Sequence, residues 1–216
     1  MSSKPSIVLV PGAWFPGEAW SKVTAILESH GHSCVPITLP SAKSNPEATF
    51  LDDVQAVRNA IEGETIKGQD VIVVVHSYGA LPGHSAAKGL TPRQGAPDKT
   101  GSVIGFAMMA TGFTATGVAF LDGVGGPPPV WKINKETGFV EMLFDAKDLF
   151  FADLPLEEGR YWAGQLGQQS LKALAEGGEH AYATWMEVPS WYLATKQDVG
   201  LPVESMTILK ASPRFG

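Results

Sequence analysis

Short apolar runs rich in β-branched residues alternate along this chain with longer segments of helical periodicity, and this alternation most restricts its fold. The apolar runs lie at 7–10, 34–39, 71–75 and 102–110. Between them, apolar residues recur at helical spacing in 20–29, 49–61 and 78–88. Strands that are separated by helices form βαβ units. We therefore predict an α/β fold with a mostly parallel sheet flanked by helices.

The alternation stops between about 111 and 188 and returns in the strand-like segment 189–194. The interrupted stretch shows loops and helices without an obvious strand, and its Gly-Gly-Pro-Pro-Pro sequence at 125–129 cannot lie inside a helix. We therefore predict a single domain over residues 1–216 that carries a helical lid insertion over about 111–188. An insertion at the carboxyl edge of a parallel sheet would cover the place where such folds bind ligands.

Composition excludes several classes of protein. The net charge of -6 argues against a nucleic-acid partner, and a single cysteine leaves no internal disulfide and no cysteine metal cluster. No apolar run is long enough to span a membrane, and the first residues do not resemble a secretory signal. No nucleotide-binding fingerprint is present. We expect a cytoplasmic protein with no cofactor, no metal, no membrane contact and a small-molecule substrate.

The segment VIVVVHSYGA at 71–80 contains the candidate catalytic motif of the sequence. A buried strand runs directly into His76, Ser77 and Tyr78, and a helix follows. This is the context of a nucleophile elbow, in which the serine hydroxyl stands above the sheet and the helix amino end faces a developing oxyanion. The alternative interpretation is an ordinary strand–turn–helix connection in which Ser77 caps the helix.

A second segment, VPGAWFPGEAW at 10–20, follows the first predicted strand. Gly12 and Ala13 would let the backbone turn close to the sheet edge. The N–H groups of Ala13 and Tyr78 could then meet around one oxygen and form an oxyanion hole. The alternative is a Pro-Gly strand terminator with simple aromatic packing by Trp14 and Trp20.

Taken together, VPGAW, GEAW and VVVHSYGA resemble the α/β-hydrolase superfamily, in the branch of small esterases, hydroxynitrile lyases and their fungal relatives. The resemblance extends from about residue 7 to residue 202, and the segment PSWYLATKQD at 189–198 resembles the strand whose end carries the triad acid. The resemblance implies that Ser77 is the nucleophile, that Asp198 is the acid, and that Ala13 and Tyr78 supply the oxyanion hole.

The chain departs from this family pattern in its histidine. The family places its catalytic histidine after the acid, but the 18 residues after Asp198 contain none. We therefore expect the last strand and helix of the fold to be truncated. The side chain of His76 should point away from Ser77, which leaves His180 in the insertion as the candidate substitute base. Val75 replaces the usual first glycine of the elbow.

The resulting hypothesis is a serine hydrolase, esterase-like, that acts on a small apolar ester or carbonyl compound through Ser77. The alternative is a catalytically impaired or non-hydrolytic member that binds a ligand, or assists an isomerisation or elimination in a biosynthetic pathway of secondary metabolism. If the last strand is missing, the exposed sheet edge predicts association into a homo-oligomer.

Overall fold

A computed structural model describes residues 4–92 and 100–198, and its centre is a parallel sheet. Within those residues the sheet has five strands in the order β2-β1-β3-β4-β8. They are β1 (Ser6–Val10), β2 (Cys34–Pro36), β3 (Val71–His76), β4 (Val103–Met109) and β8 (Ser190–Leu193). All four pairings between neighbouring strands are parallel. The predicted α/β fold with a mostly parallel sheet is confirmed.

Helices α1 (Ser21–Ser29), α2 (Phe50–Thr65) and α3 (Ala80–Ala86) connect the first four strands. Helix α2 begins with a capping box, since the Asp52 N–H donates to Thr49 Oγ1 at 3.2 Å while the Thr49 N–H donates to Asp52 Oδ2 at 2.8 Å. A short 3₁₀ turn, Ser77–Gly79, joins β3 to α3. This arrangement places the carboxyl end of β3 against the amino end of α3.

The sheet is buried on both faces near its centre, which explains the continuous apolar runs in the sequence. Alternate residues of β1 and β3, such as Val8 and Val73, belong to a core cluster that also includes residues of α2 and α3. The intervening residues Leu9 and Val74 pack with Trp20 on the opposite face. In the described part of the chain β8 lies at one edge, with Trp191 and Leu193 exposed. The predicted truncation concerns residues 199–216, which lie outside the described residues.

The insertion contains strands as well as helices, so the expectation of a strand-free lid is wrong. A second sheet in the order β5-β6-β7 is antiparallel throughout. The elements are α4 (Phe120–Gly123), β5 (Trp131–Asn134), β6 (Phe139–Met142), α5 (Ala146–Phe150), α6 (Leu156–Ala163), β7 (Gln169–Ser170) and α7 (Leu171–Ala175). These strands have two to four residues and mixed polarity. They are too short, and too often interrupted by polar residues, to produce a continuous apolar run.

The last turn of α3 buries a histidine, His84, in the packing between this helix and its neighbours. His84 is fully buried, its ring packs edge-on against Phe106, and Nδ1 pairs with Thr114 Oγ1 at 2.8 Å. Its Nε2 has no hydrogen-bond partner among the described residues. Burial lowers the pKa of His84 to about 3, so the imidazole is neutral in the folded protein above that pH.

We predict that His84 makes the fold sensitive to acid. The unfolded chain binds a proton at His84 below about pH 6.5 while the folded chain does not, so the free energy of unfolding should fall as the pH decreases from 6.5 towards 3. At pH 4.5 the loss attributable to His84 should be about 2–3 kcal/mol. Urea titrations at pH 7.5 and 4.5 of the wild type and of His84→Gln would measure it.

The matched control is His30→Gln, because His30 lies exposed at the end of α1. We expect His84→Gln to reduce the difference in unfolding free energy between pH 7.5 and pH 4.5, and His30→Gln to leave that difference unchanged. If the wild type and His84→Gln lose the same unfolding free energy on acidification, the buried imidazole does not cause the loss.

Candidate active site

The turn between β3 and α3 holds Ser77 in a backbone conformation that a serine rarely adopts. Ser77 has φ of 50°, in the left-handed region, between the extended His76 and the helical Gly79. The carbonyl oxygen of Ser77 accepts a hydrogen bond from Thr111 Oγ1 at 2.7 Å. The sharp strand–turn–helix geometry that an exposed nucleophile requires is therefore present at Ser77, held from the loop that follows β4.

The loop after β1 lies directly against this turn. A Cβ atom on Gly12 would lie 3.1 Å from Ser77 Cβ and 3.0 Å from His76 Nδ1. Only a residue without a side chain lets the backbone approach this closely. Gly12 therefore brings the adjacent Ala13, which is buried, close to Ser77.

Val75 does not loosen the turn, because a glycine on the facing helix makes room for it. Val75 is fully buried, and a Cβ on Gly83 of α3 would lie 2.6 Å from Val75 Cγ1. The glycine that is missing from the strand side of the turn is thus matched by one on the helix side. Helix α3 can pack against β3 despite the larger side chain.

Ser77 lines a cavity of about 690 Å³ at the carboxyl edge of the sheet. Asp198, which follows β8, lines the same cavity, and its Oδ2 accepts a hydrogen bond from Thr195 Oγ1 at 2.8 Å. Most of the remaining wall is apolar and comes from the β1 loop and the insertion: Ala13, Trp14, Phe15, Val130, Trp131, Leu149 and Phe150. The structure therefore brings together Ser77, Asp198 and Ala13, which the sequence had placed in three distant segments.

His76 also lines this cavity. Its ring packs edge-on against Phe15, with centroids 5.8 Å apart, and lies near Trp20. Burial lowers the pKa of His76 to about 4, and the negative charge of Asp198 partly opposes this effect. The imidazole is therefore neutral at pH 7 and carries a free electron pair.

The other candidate base, His180, lies elsewhere. It ends the 3₁₀ helix Gly178–His180, is exposed, and has Nε2 3.6 Å from Glu179 Oε1. It is not among the residues that line the cavity. All five histidines of the chain lie among the described residues, and of these His76 alone lines the cavity.

Two buried polar contacts behind the cavity were not predicted from the sequence. The Tyr78 hydroxyl donates to Asp53 Oδ2 at 2.7 Å, and Asp53 is fully buried in the first turn of α2. The Trp14 N–H donates to Oε1 of the fully buried Gln169 in β7 at 3.2 Å. No local pattern in the sequence predicts that Asp53 faces Tyr78 or that Gln169 faces Trp14.

The sequence matches the model of one protein family, described as the alpha/beta hydrolase family, over residues 7–215. The chain belongs to the alpha/beta hydrolase family. It is 30% identical over 205 residues to the alpha/beta hydrolase nvfD of Aspergillus novofumigatus, a match that covers 92% of this chain and 80% of the relative. A shorter match, 33% identical over 96 residues, relates 43% of the chain to 39% of the probable hydrolase R7 of a Phoma species.

Solved structures share the fold of this alpha/beta hydrolase at low identity. Polyneuridine aldehyde esterase aligns with a TM-score of 0.71 at 18% identity, covering 96% of this chain and 86% of that one. A pyrethroid hydrolase of Sphingobium faniae aligns with a TM-score of 0.70 at 20% identity, covering 97% and 86%. The methylesterase MES16 of Arabidopsis aligns with a TM-score of 0.71 at 18% identity, covering 96% and 84%.

Residues 4–92 and 100–198 contain neither a metal-binding cluster nor a membrane-spanning helix. In these ranges no group of three or more His, Cys, Asp or Glu side chains is arranged to hold a metal ion. Within the same ranges, no helix combines the length and the apolar character that crossing a bilayer requires.

Proposed function

We propose that this alpha/beta hydrolase is a serine hydrolase that cleaves small apolar esters through Ser77. The observation that carries the proposal is the left-handed backbone of Ser77 in the same cavity as Asp198, with the Gly12–Ala13 backbone packed against it. A strained serine at a strand–helix turn, open to an apolar cavity, is the arrangement that exposes a hydroxyl for acyl transfer.

In this mechanism the Ser77 hydroxyl oxygen attacks the carbonyl carbon of the ester while a base removes its proton. The N–H groups of Ala13 and Tyr78 stabilise the oxyanion that develops on the carbonyl oxygen. The proton then passes to the leaving alcohol, and an acyl-serine remains. Water repeats the attack, which releases the carboxylic acid and regenerates Ser77. Asp198 orients the base and stabilises its positive charge.

The identity of the base separates this proposal from a second candidate function. His76 is the histidine within the cavity, and its lowered pKa of about 4 makes it a weak base. That observation favours the second candidate, a member of the family that retains the pocket and binds a small ligand without efficient hydrolysis.

The cavity indicates the class of substrate for either candidate. A volume of about 690 Å³ lined by Trp14, Phe15, Trp131 and Phe150 suits a compact apolar molecule. The fold neighbours named above include a pyrethroid hydrolase and two esterases, which is consistent with an ester of this kind. Polar side chains, among them Asp153 and Lys196, also line the cavity.

The proposal is tested by labelling with a fluorophosphonate and measuring intact mass and the modified peptide. We expect one equivalent of label on Ser77 and none in Ser77→Ala, because alanine lacks the hydroxyl oxygen that forms the bond to phosphorus while fluoride leaves. The matched control is Ser44→Ala, because Ser44 also has a left-handed φ, of 57°, but is exposed and does not line the cavity. Ser44→Ala should be labelled like the wild type.

A third variant, His76→Gln, distinguishes the two candidates. Labelling that is rapid in the wild type and lost in His76→Gln would identify His76 as the base. A folded wild type that resists labelling but binds apolar esters in a fluorescence titration would contradict the hydrolase and favour the ligand-binding member.

A further inference from the structure

We propose that Gln169 is a positioning residue, through which the insertion holds the loop after β1 in the geometry that stabilises an oxyanion. The inference rests on the proposed function, because it assigns a role to the loop that carries the Ala13 N–H. Gln169 touches neither the substrate nor Ser77 in this account. It acts on the peptide between Ala13 and Trp14.

Three hydrogen bonds connect Trp14 to the insertion. The Trp14 N–H donates to Gln169 Oε1 at 3.2 Å, and the indole Nε1–H donates to the Val140 carbonyl at 3.1 Å. The Trp14 carbonyl accepts from the Gly167 N–H at 2.9 Å. Both strands of the β6–β7 pair therefore contact one residue of the loop, although 126 residues separate Trp14 from Val140 and 155 separate it from Gln169.

The conformation of Trp14 explains why the loop needs these bonds. Trp14 has φ of 66°, in the left-handed region, where a bulky side chain is disfavoured. Such a conformation persists only where the surroundings impose it. If the Trp14 N–H loses its acceptor, the Ala13–Trp14 peptide can rotate towards an ordinary conformation.

Rotation of that peptide would disturb the candidate oxyanion hole. The Ala13 N–H lies one peptide earlier, and Gly12 packs so tightly against Ser77 that a Cβ atom on Gly12 would lie 3.1 Å from Ser77 Cβ. Because donors of an oxyanion hole must be aimed at the developing charge, a small shift weakens the covalent step more than it weakens binding. The insertion is thus expected to set the reactivity of Ser77 in addition to forming the wall of the cavity.

The neighbouring residue provides a matched control. Ser170 is also fully buried in β7, but its Oγ donates to the Ala48 carbonyl at 2.7 Å, away from the loop. Ser170→Ala therefore removes a buried tether between the insertion and the rest of the domain without touching Trp14. Gln169→Met removes the acceptor at nearly constant size, and Gln169→Glu retains an acceptor oxygen at the same reach.

Two measurements are made on the full chain. Amide hydrogen exchange of a peptide covering residues 12–16 reports whether the Trp14 N–H remains bonded, and it does not depend on activity. Fluorophosphonate labelling, separated into the binding constant and the maximal rate of the covalent step, reports the reactivity of Ser77. The same variants are compared in both.

We expect Gln169→Met to accelerate exchange in residues 12–16 by about tenfold and to lower the covalent rate by roughly 10- to 100-fold, with the binding constant within a factor of about three. Gln169→Glu should restore slow exchange, and Ser170→Ala should match the wild type in both measurements. The proposal would be overturned if Gln169→Met changed neither the amide exchange nor the covalent rate. It would also be overturned if Ser170→Ala had the same effects as Gln169→Met. If the wild type is not labelled, the proposed hydrolase fails, while the exchange data still decide the role of Gln169.

Discussion

Replacing Gly79 with alanine is expected to lower the free energy of unfolding by about 3 kcal/mol and to abolish labelling of Ser77. A Cβ at this position would lie 2.2 Å from the Pro11 carbonyl oxygen and 2.9 Å from the Val10 carbonyl oxygen. Both atoms belong to the backbone at the end of β1, so neither can move away by rotation of a side chain. The new methyl group must push the β1 loop and the Ser77 turn apart.

The backbone of Gly79 itself is compatible with alanine, which makes the prediction purely steric. Gly79 has φ of -56° and ψ of -17°, an ordinary helical conformation. The separation would also move Gly12 and Ala13 away from Ser77, so catalysis and stability should be lost together. Urea titration gives the free energy of unfolding, and phosphonate labelling gives the reactivity.

Gly63→Ala is the control for this substitution. Gly63 lies within α2, and a Cβ there would have no heavy atom within 4 Å. Because alanine has a higher helix propensity than glycine, Gly63→Ala should stabilise the fold by about 0.5–1 kcal/mol and leave the labelling of Ser77 intact. A Gly79→Ala variant as stable and as reactive as Gly63→Ala would contradict the close contact between the two loops.

The second large effect is expected at Asp53. Its Oδ1 accepts the Ser41 N–H at 2.9 Å, and its Oδ2 accepts the Ser41 hydroxyl at 2.5 Å and the Tyr78 hydroxyl at 2.7 Å. Asp53→Ala leaves these donors buried, while Tyr78 retains a longer contact of 3.3 Å to the Ala173 carbonyl. We expect a loss of about 3 kcal/mol of unfolding free energy at pH 4.5.

The effect of Asp53→Ala should be smaller at neutral pH. Burial raises the pKa of Asp53 to about 6, although the hydrogen bonds from Ser41 and Tyr78 oppose this shift. A group whose folded pKa lies above its unfolded pKa stabilises the fold at low pH and loses that contribution as the pH rises from about 4 to 6. The destabilisation by Asp53→Ala should therefore be about 2 kcal/mol smaller at pH 7.5 than at pH 4.5.

The adjacent carboxylate is a control with the opposite pH dependence. Asp52 is exposed, and its hydrogen bonds with the Thr49 backbone and side chain lower its pKa. Its stabilising contribution is therefore present at neutral pH and lost in acid. Asp52→Ala should cost about 1 kcal/mol at pH 7.5 and less at pH 4.5. Urea titrations of the two variants at pH 4.5 and 7.5 measure how each destabilisation changes with pH. If both destabilisations changed in the same direction, the raised pKa of Asp53 would be contradicted.

Local sequence pattern was sufficient to predict the central sheet. The strands β1, β3 and β4 are continuous apolar runs because parallel strands are covered on both faces, and the turn at Ser77 follows β3 without interruption. The insertion was predicted less well. Its strands are short and contain polar residues, and β7 has only two residues, so their pattern does not differ from that of loops.

In the candidate site, too, a local sequence pattern predicts some residues and not others. Ser77 and Ala13 were predicted from the sequence because each lies in a short segment whose pattern is specific, and Asp198 because the segment that ends in it resembles the family's acid-bearing strand. By contrast, Gln169 and Asp53 become distinct only through the groups that face them, and those groups lie far away in the chain. The cavity position of His76 likewise depends on how Phe15 and Trp20 pack around its ring.

The sequence alone therefore determined the α/β fold, the family and the turn that presents Ser77, because periodicity and turn chemistry act between residues close in the chain. Only the tertiary structure decided that Gly83 accommodates Val75, that the carboxylate of Asp53 is buried beneath Tyr78, and that Gln169 reaches Trp14 across 155 residues. Contacts of this kind depend on the path of the whole chain, since burial and hydrogen bonding are satisfied by whichever groups the fold brings together.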